Sequence, residues 1–368
     1  MITKNDVVKA PDLVKDTCIF QGAEHNPLLA PRGVFLVQGK LIVCDTGQNR
    51  VFIWNTVPTS PHQDPDLFLG QDEVGATGRN ADGSVSASTL QYPSGLWSDG
   101  ERLVIADAWN HRVLIWNTFP TQNGQPADVV LGQPDFQSNQ PNIEGVGKPP
   151  SAQTLYWPYG VYSDGQHLFV ADTGNRRVLF YEVFPRESFA TADRVIGKET
   201  FKERDYENED PIWPYSIKLN ADGALAITDT QYYRVLLWDH WEKAFTEKAS
   251  RLIGQADFAG NGQNQFGWFP EAHTLNWCYD TCFYKGGIFV ADTGNSRVLW
   301  FPSVPKNSNE AATGLIGQEN FQTGSENQNT IKTTENSLYW PFHLSIEQQT
   351  LVIADTGNHR IVIVELRK

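Results

Sequence analysis

Four cysteines in 368 residues are far too few for a secreted disulfide scaffold, and thiols left free fit a reducing compartment. No window approaches eighteen consecutive apolar residues, and the opening MITKNDVVKAPDLVKD has no apolar core of the kind a signal peptide needs. Neither a membrane span nor a leader is therefore expected, and the chain reads as cytoplasmic. Basic residues are short too: 29 Lys and Arg face 43 Asp and Glu, a formal charge of -14 with no local Lys/Arg stripe. That balance repels phosphate backbones and anionic lipid, which takes nucleic acid and membrane surfaces off the expected partners. Also missing are a phosphate-binding loop, a dinucleotide fingerprint, a nucleophile elbow and an HExxH pair.

The chain is rich in strand and turn formers: 12 Trp, 12 Tyr, 20 Phe, 30 Gly and 21 Pro against one Met, which argues against a helical bundle. One string recurs six times: VCDTGQNRVFIW from Val43, IADAWNHRVLIW from Ile105, VADTGNRRVLFY from Val170, ITDTQYYRVLLW from Ile227, VADTGNSRVLWF from Val290 and IADTGNHRIVIV from Ile353. Its aspartates are 62, 65, 57, 63 and 63 residues apart, and an arginine follows each by five positions. Within a unit the order is P-x-G, an apolar run, LxVADTGN, RVLxW, a Pro-rich loop and LGQ, which makes four short strands. About 24 strands need protected edges, and radial repetition protects them, so the expected fold is an all-β, six-bladed β-propeller. Blades are expected at 28–71, 90–133, 155–198, 212–255, 275–318 and 338–366. The last unit lacks an LGQ strand and the chain begins with a spare one, so residues 17–22 should supply the outer strand of blade 6.

The P-x-G and L-x-V-A-D-T-x-N-x-R-V strings resemble the NHL-repeat propellers over nearly the whole chain, from about Thr17 to Glu365. The resemblance implies the same fold. It leaves the activity open, because that family includes protein binders, RNA binders and a peptide-amidating lyase that uses histidine ligands. The lyase's motif does not match here residue by residue, so no ligand is carried over. The units here are longer than the family's usual repeat, the excess lying between LGQ and the next P-x-G.

Six copies of Asp and Arg suit one structural job repeated in each blade, with Asp accepting from turn N–H groups and Arg pairing across neighbouring blades. Asn49, Asn110, Asn175, Asn295 and Asn358 fit a left-handed turn position. Departures from the repeat say more. Where the first three inner strands carry Gly33, Gly95 and Gly160, the last three carry Ser216, Asp280 and His343; two positions later Phe35, Trp97 and Tyr162 give way to Lys218, Cys282 and Ser345. Residues two apart share a strand face, so these polar groups should gather at the axis and shift one another's pKa values.

Aromatic residues lead into the strands, Tyr92, Trp157, Trp213, Trp277 and Trp340 before the Pro or Cys and Tyr159, Tyr215, Tyr279 and Phe342 after it. The first set reads as packing; the second, nearer the channel mouth, could wall a pocket. His111 and His359, in the repeated turns, are expected to be solvated. His25, His273 and His343 all fall between an LGQ strand and an inner strand, so with Asp280 they are candidates for an open divalent-metal site. Long connections mark that face as the working one. The leading expectation is a binding propeller whose axial mouth, built from Arg32, Tyr159, Tyr215, Ser216, Lys218, Tyr279, Asp280, Cys282, Phe342 and His343, holds a small molecule or a peptide end. The rival is a lyase or hydrolase, with or without a metal, in which His343 or Asp280 is the general base and Lys218 or Arg32 stabilises negative charge.

Overall fold

Each repeated string folds as a hairpin because its second strand stops at the aspartate and a three-residue 3-10 turn swings the chain back to the arginine. The turn ends on a left-handed residue, with φ between 51° and 56° at Asn49, His111, Arg176, Tyr233, Ser296 and His359. The expected asparagines hold this position only at Asn49. Asn110, Asn175, Asn295 and Asn358 stand one residue earlier, and their amides form reciprocal pairs with Asn80, Asn142, Asn264 and Asn327 of the long connections.

The computed structural model describes residues 13–203 and 211–367. Among them, 24 strands form six antiparallel four-stranded sheets arranged as the blades of a β-propeller, and the helical segments are short 3-10 turns. The inner strands are Gly33–Val37, Pro93–Ser98, Pro158–Ser163, Pro214–Leu219, Cys278–Tyr284 and Pro341–Glu347. The ring is sewn shut by Val14–Phe20, which pairs with Arg360–Leu366 in register from Asp16 opposite Glu365 to Phe20 opposite Ile361. The apolar core lies between blades: Val113 and Leu131 of blade 2 pack with Val161, Val170 and Leu179 of blade 3, and Phe20 with Trp54 across the closing seam. No described helix is long and apolar enough to cross a membrane.

The repeated polar residues are joinery. Every Asp accepts from its own Arg at 2.6–2.8 Å, with both side chains buried, and from a backbone N–H sixteen residues upstream. The arginine therefore pairs within its hairpin and not with a neighbouring blade's carboxylate. Its remaining N–H groups hold the connections before and after the blade, as Arg112 does with the carbonyls of Ser86, Thr89 and Phe136. Blade is tied to blade by the threonine beside the aspartate: Thr46, Thr173, Thr230, Thr293 and Thr356 donate to the carbonyls of Pro93, Pro214, Cys278, Pro341 and Pro31. The LGQ glutamine serves the loops, Gln133 donating to the carbonyls of His111 and Gln140.

Candidate functional site

Antiparallel order puts the Asp–Arg turns and the long LGQ-to-P-x-G connections on one face, and the remaining hairpins and Pro-rich links on the other. The inner strands begin at the long-loop face, so the residue after each Pro or Cys rings the channel mouth. Blades 3 to 6 place Tyr159, Tyr215, Tyr279 and Phe342 there as a continuous aromatic arc: Tyr159 stacks on Tyr215 at 4.8 Å, Tyr215 meets Tyr279 edge-on at 4.7 Å, and Tyr279 packs on Phe342 at 4.2 Å. Blade 1 contributes Arg32, whose guanidinium lies 4.0 Å from the Phe342 ring centre and 5.1 Å from that of Tyr92. Tyr92, one position earlier in its unit, also reaches the ring; its φ of 58° is a left-handed geometry that Ala30, Trp157, Trp277 and Trp340 share at the same place in their units. It carries Trp109 on its face, 4.6 Å away, and Trp109 donates its indole N–H to the Tyr159 hydroxyl at 3.4 Å.

Beneath the arc sits the second layer. In blades 1 to 3 it must be glycine, because a Cβ at Gly33 would stand 2.0 Å from the carbonyl oxygen of Ser94, at Gly95 2.5 Å from that of Tyr159 and at Gly160 2.2 Å from that of Tyr215. In blades 4 to 6 the same layer carries Ser216, Asp280 and His343, which reach from blade to blade. Asp280 is fully buried; Ser216 donates its hydroxyl to Oδ1, and the Leu344 N–H donates to Oδ2 at 2.8 Å. Lys218 Nζ stands 3.5 Å from Oδ1 and His343 Nε2 3.5 Å from Oδ2. The carboxylate is thus engaged on both oxygens, as a buried charge has to be.

Burial drives the ionisation states here. It pushes His343 down to about 4, Lys218 acting in the same direction and Asp280 and the Val34 backbone against it, so the imidazole is neutral at pH 7. Its Nδ1 meets no hydrogen-bond partner. Burial also raises the Cys282 thiol to about 12, which makes it an inert apolar filler at neutral pH rather than a nucleophile. Tyr279 is raised to about 12, and Tyr92, Tyr159 and Tyr215 are raised as well, so all four phenols keep their protons. The cavity lined by Arg32, Ser94, Tyr159, Tyr215, Tyr279, Phe342 and His343 is only about 30 Å³. A second cavity, of about 1420 Å³ and lined by described residues of blades 3 and 4, lies away from the axial cluster.

The expected metal site is not assembled. Among the described residues no group of three or more His, Cys, Asp or Glu side chains is placed to hold a metal ion. His25 is exposed in the connection before blade 1, His273 is half-buried in the one before blade 5, and only His343 enters the channel. His111 is buried, against the solvated position expected for it: its Nδ1 accepts from the Trp157 N–H, and burial lowers its pKa to about 4. His359 does stay exposed and accepts from the Ala30 N–H.

No family model and no curated protein sequence matches this chain. Solved structures do. A hydrazine synthase from Kuenenia stuttgartiensis aligns over 92% of this chain and 77% of its own, at 12% identity and a TM-score of 0.50. A virginiamycin B lyase from Staphylococcus aureus aligns over 96% and 99%, at 11% identity and 0.46. A glutaminyl cyclase from Myxococcus xanthus aligns over 96% and 97%, at 12% identity and 0.41. At such identities the likeness concerns the fold alone.

Proposed function

We propose that this chain is an NHL-type propeller that works by binding, and that it meets a peptide or a small molecule at the channel mouth and surrounding loops of the long-loop face. One observation carries the reading. Among the described residues, the exposed large apolar side chains lie on the turns and connections of that face, with the single exception of Val183. Trp109, Trp157, Trp277 and Trp340 are each about 40% exposed there. Farther out, Val146, Trp268 and Ile331 stand four residues past the paired asparagines of their connections and are 78%, 96% and 101% exposed. Scattered exposed apolar residues mean little, but their segregation to one side of a closed ring marks an interaction face. The four free cysteines fit a cytoplasmic setting for this work.

The lyase or hydrolase alternative has less support. Of its candidate bases, Asp280 has both carboxylate oxygens occupied and does not line the axial cavity, and His343 lines a cavity of only about 30 Å³. A substrate atom has to come within about 3 Å of a general base.

A thermal-shift screen of short peptides and polar metabolites tests the binding reading. Ligands that stabilise the wild type should lose their effect in Trp157→Ala and Tyr279→Ala and keep it in Val183→Ala on the opposite face. Ligands with the reverse pattern would move the working surface to that other face.

A further inference from the structure

Arg32 differs from the arginines of the repeated turns. Each of those binds a carboxylate at 2.6–2.8 Å, whereas among the described residues Arg32 has no ion pair and its guanidinium donates no hydrogen bond. Ring faces hold it instead, Phe342 at 4.0 Å and Tyr92 at 5.1 Å. Stacking of this kind fixes the plane of a guanidinium and leaves its N–H edge free. Tyr215 and Tyr279 line the same cavity, and their hydroxyls find no partner among the described residues. The charge of Arg32 opposes the upward push of burial on Tyr92, Tyr159, Tyr215 and Tyr279 alike, so all four phenols lie in its field. A further unpartnered polar atom, His343 Nδ1, belongs to a side chain that lines this cavity and is 9% exposed.

We propose that the channel mouth is a carboxylate site, in which the Arg32 guanidinium takes a single carboxylate through its two parallel N–H donors and the hydroxyls of Tyr215 and Tyr279 are the neighbouring donors. The inference rests on the mouth being the place where ligand binds. Its selectivity follows from charge and size. Among the described residues Arg32 is the one cation lining this cavity, since Lys218 is set against Asp280, and the protein as a whole carries -14. That suits a planar monoanion, which a guanidinium fork binds through two oxygens, and leaves a phosphate dianion short of a second positive charge. A cavity of about 30 Å³ admits the head of a ligand and no more, so the ligand's body lies over the aromatic arc and the half-exposed Trp157 and Trp340. A peptide C-terminus and a small acid with an apolar body both present this chemistry.

Three probes separate the cases: a mixed tetrapeptide pool with free C-termini, the same pool with C-terminal amides, and benzoate. Binding is read by tyrosine and tryptophan fluorescence on the wild type, Arg32→Gln and Arg32→Lys, each checked for an unchanged melting temperature. Retention of the free-acid pool over the amide pool by at least tenfold, lost in Arg32→Gln and partly restored in Arg32→Lys, assigns the site to peptide C-termini. Arg32-dependent binding of benzoate with both pools excluded assigns it to small acids. Equal binding of acid and amide pools overturns the carboxylate inference while leaving a binding face intact. No binding of any probe to the wild type overturns it too, and the broader reading then stands or falls on its own metabolite screen.

Discussion

The hydroxyl of Thr356, in the last blade, donates to the carbonyl of Pro31, in the first. It is the same bond that joins blade 1 to blade 2 through Thr46 and Pro93, so the seam where the chain ends meet is built like an interior one. Strand pairing between Val14–Phe20 and Arg360–Leu366 adds the covalent discontinuity's remedy, a shared sheet. Two changes test this seam separately. Thr356→Val should cost about 1–3 kcal/mol by leaving a buried carbonyl without its donor. Removing residues 1–24 should cost more and expose the edge of Arg360–Leu366, giving a lower melting temperature together with concentration-dependent association on size-exclusion chromatography. An unchanged melting temperature after the truncation would contradict the closure.

Asp280, fully buried, and Lys218, whose side chain is 13% exposed, form a pair whose members are not equivalent, since the carboxylate also holds Ser216 and the Leu344 N–H. Asp280→Asn should destabilise by about 3–5 kcal/mol, because it leaves the ammonium uncompensated beneath the aromatic arc. Adding Lys218→Met should recover a large part of that loss. Chemical denaturation of the two single variants and the double variant measures it; simple additivity would mean that the two groups do not interact.

Two buried histidines set an acid limit on stability. His343 and His111 are both lowered to about 4 from an ordinary value of 6.5. Between those values the unfolded chain binds protons that the folded one refuses, so their contribution is complete above pH 6.5 and lost as the pH falls toward 4. Urea midpoints should fall across this window, and less steeply in His343→Gln and in His111→Gln. A wild type with a flat profile from pH 7 to 4.5 would contradict both assignments.

The glycines of the first three blades leave no room for a side chain. Gly33→Ala would place a Cβ 2.0 Å from the Ser94 carbonyl oxygen, backbone of the next blade that cannot swing aside. The expected loss lies at the upper end of single substitutions, roughly 3 kcal/mol or more. A melting temperature within a degree of the wild type would show that the inner strands shift more easily than their packing implies.

Much of this is legible in the residues because a repeat reports its own period. The string around each aspartate locates every hairpin, and the spare strand at the start foretells the seam. Aligning the units also exposes Ser216, Asp280, His343 and Lys218 as departures, and the fold brings those four together. Other parts depend on geometry that composition does not carry. Tyr92 reads as packing in the sequence yet meets Arg32 and Tyr159 at the mouth, and Arg32, a candidate from the sequence, shows its lack of a carboxylate partner only in the fold. Shared order along the chain misleads for His25, His273 and His343, since three connections that end at one face can fan outward from its centre. The pairing of Asn142 with Asn175 or Asn264 with Asn295 needs two loops folded against each other, and neither loop announces it alone.

One irregularity in the ring changes how it bears load. The threonine latch is missing between blades 2 and 3, where Ala108 stands in the turn and Trp109 follows in place of the usual glycine. Across that seam Trp109 reaches Tyr159 at 3.4 Å, a longer bond made by a side chain that is 38% exposed. Five seams therefore carry a buried threonine latch, whereas this one relies on the Trp157 N–H bond to the buried His111, on Arg102 donating to the Gly165 carbonyl, and on Trp109 at the surface where the aromatic arc begins. A molecule that lies across Tyr92 and Tyr159 would therefore rest on the seam that lacks a threonine latch, beside the bond that Trp109 makes to Tyr159.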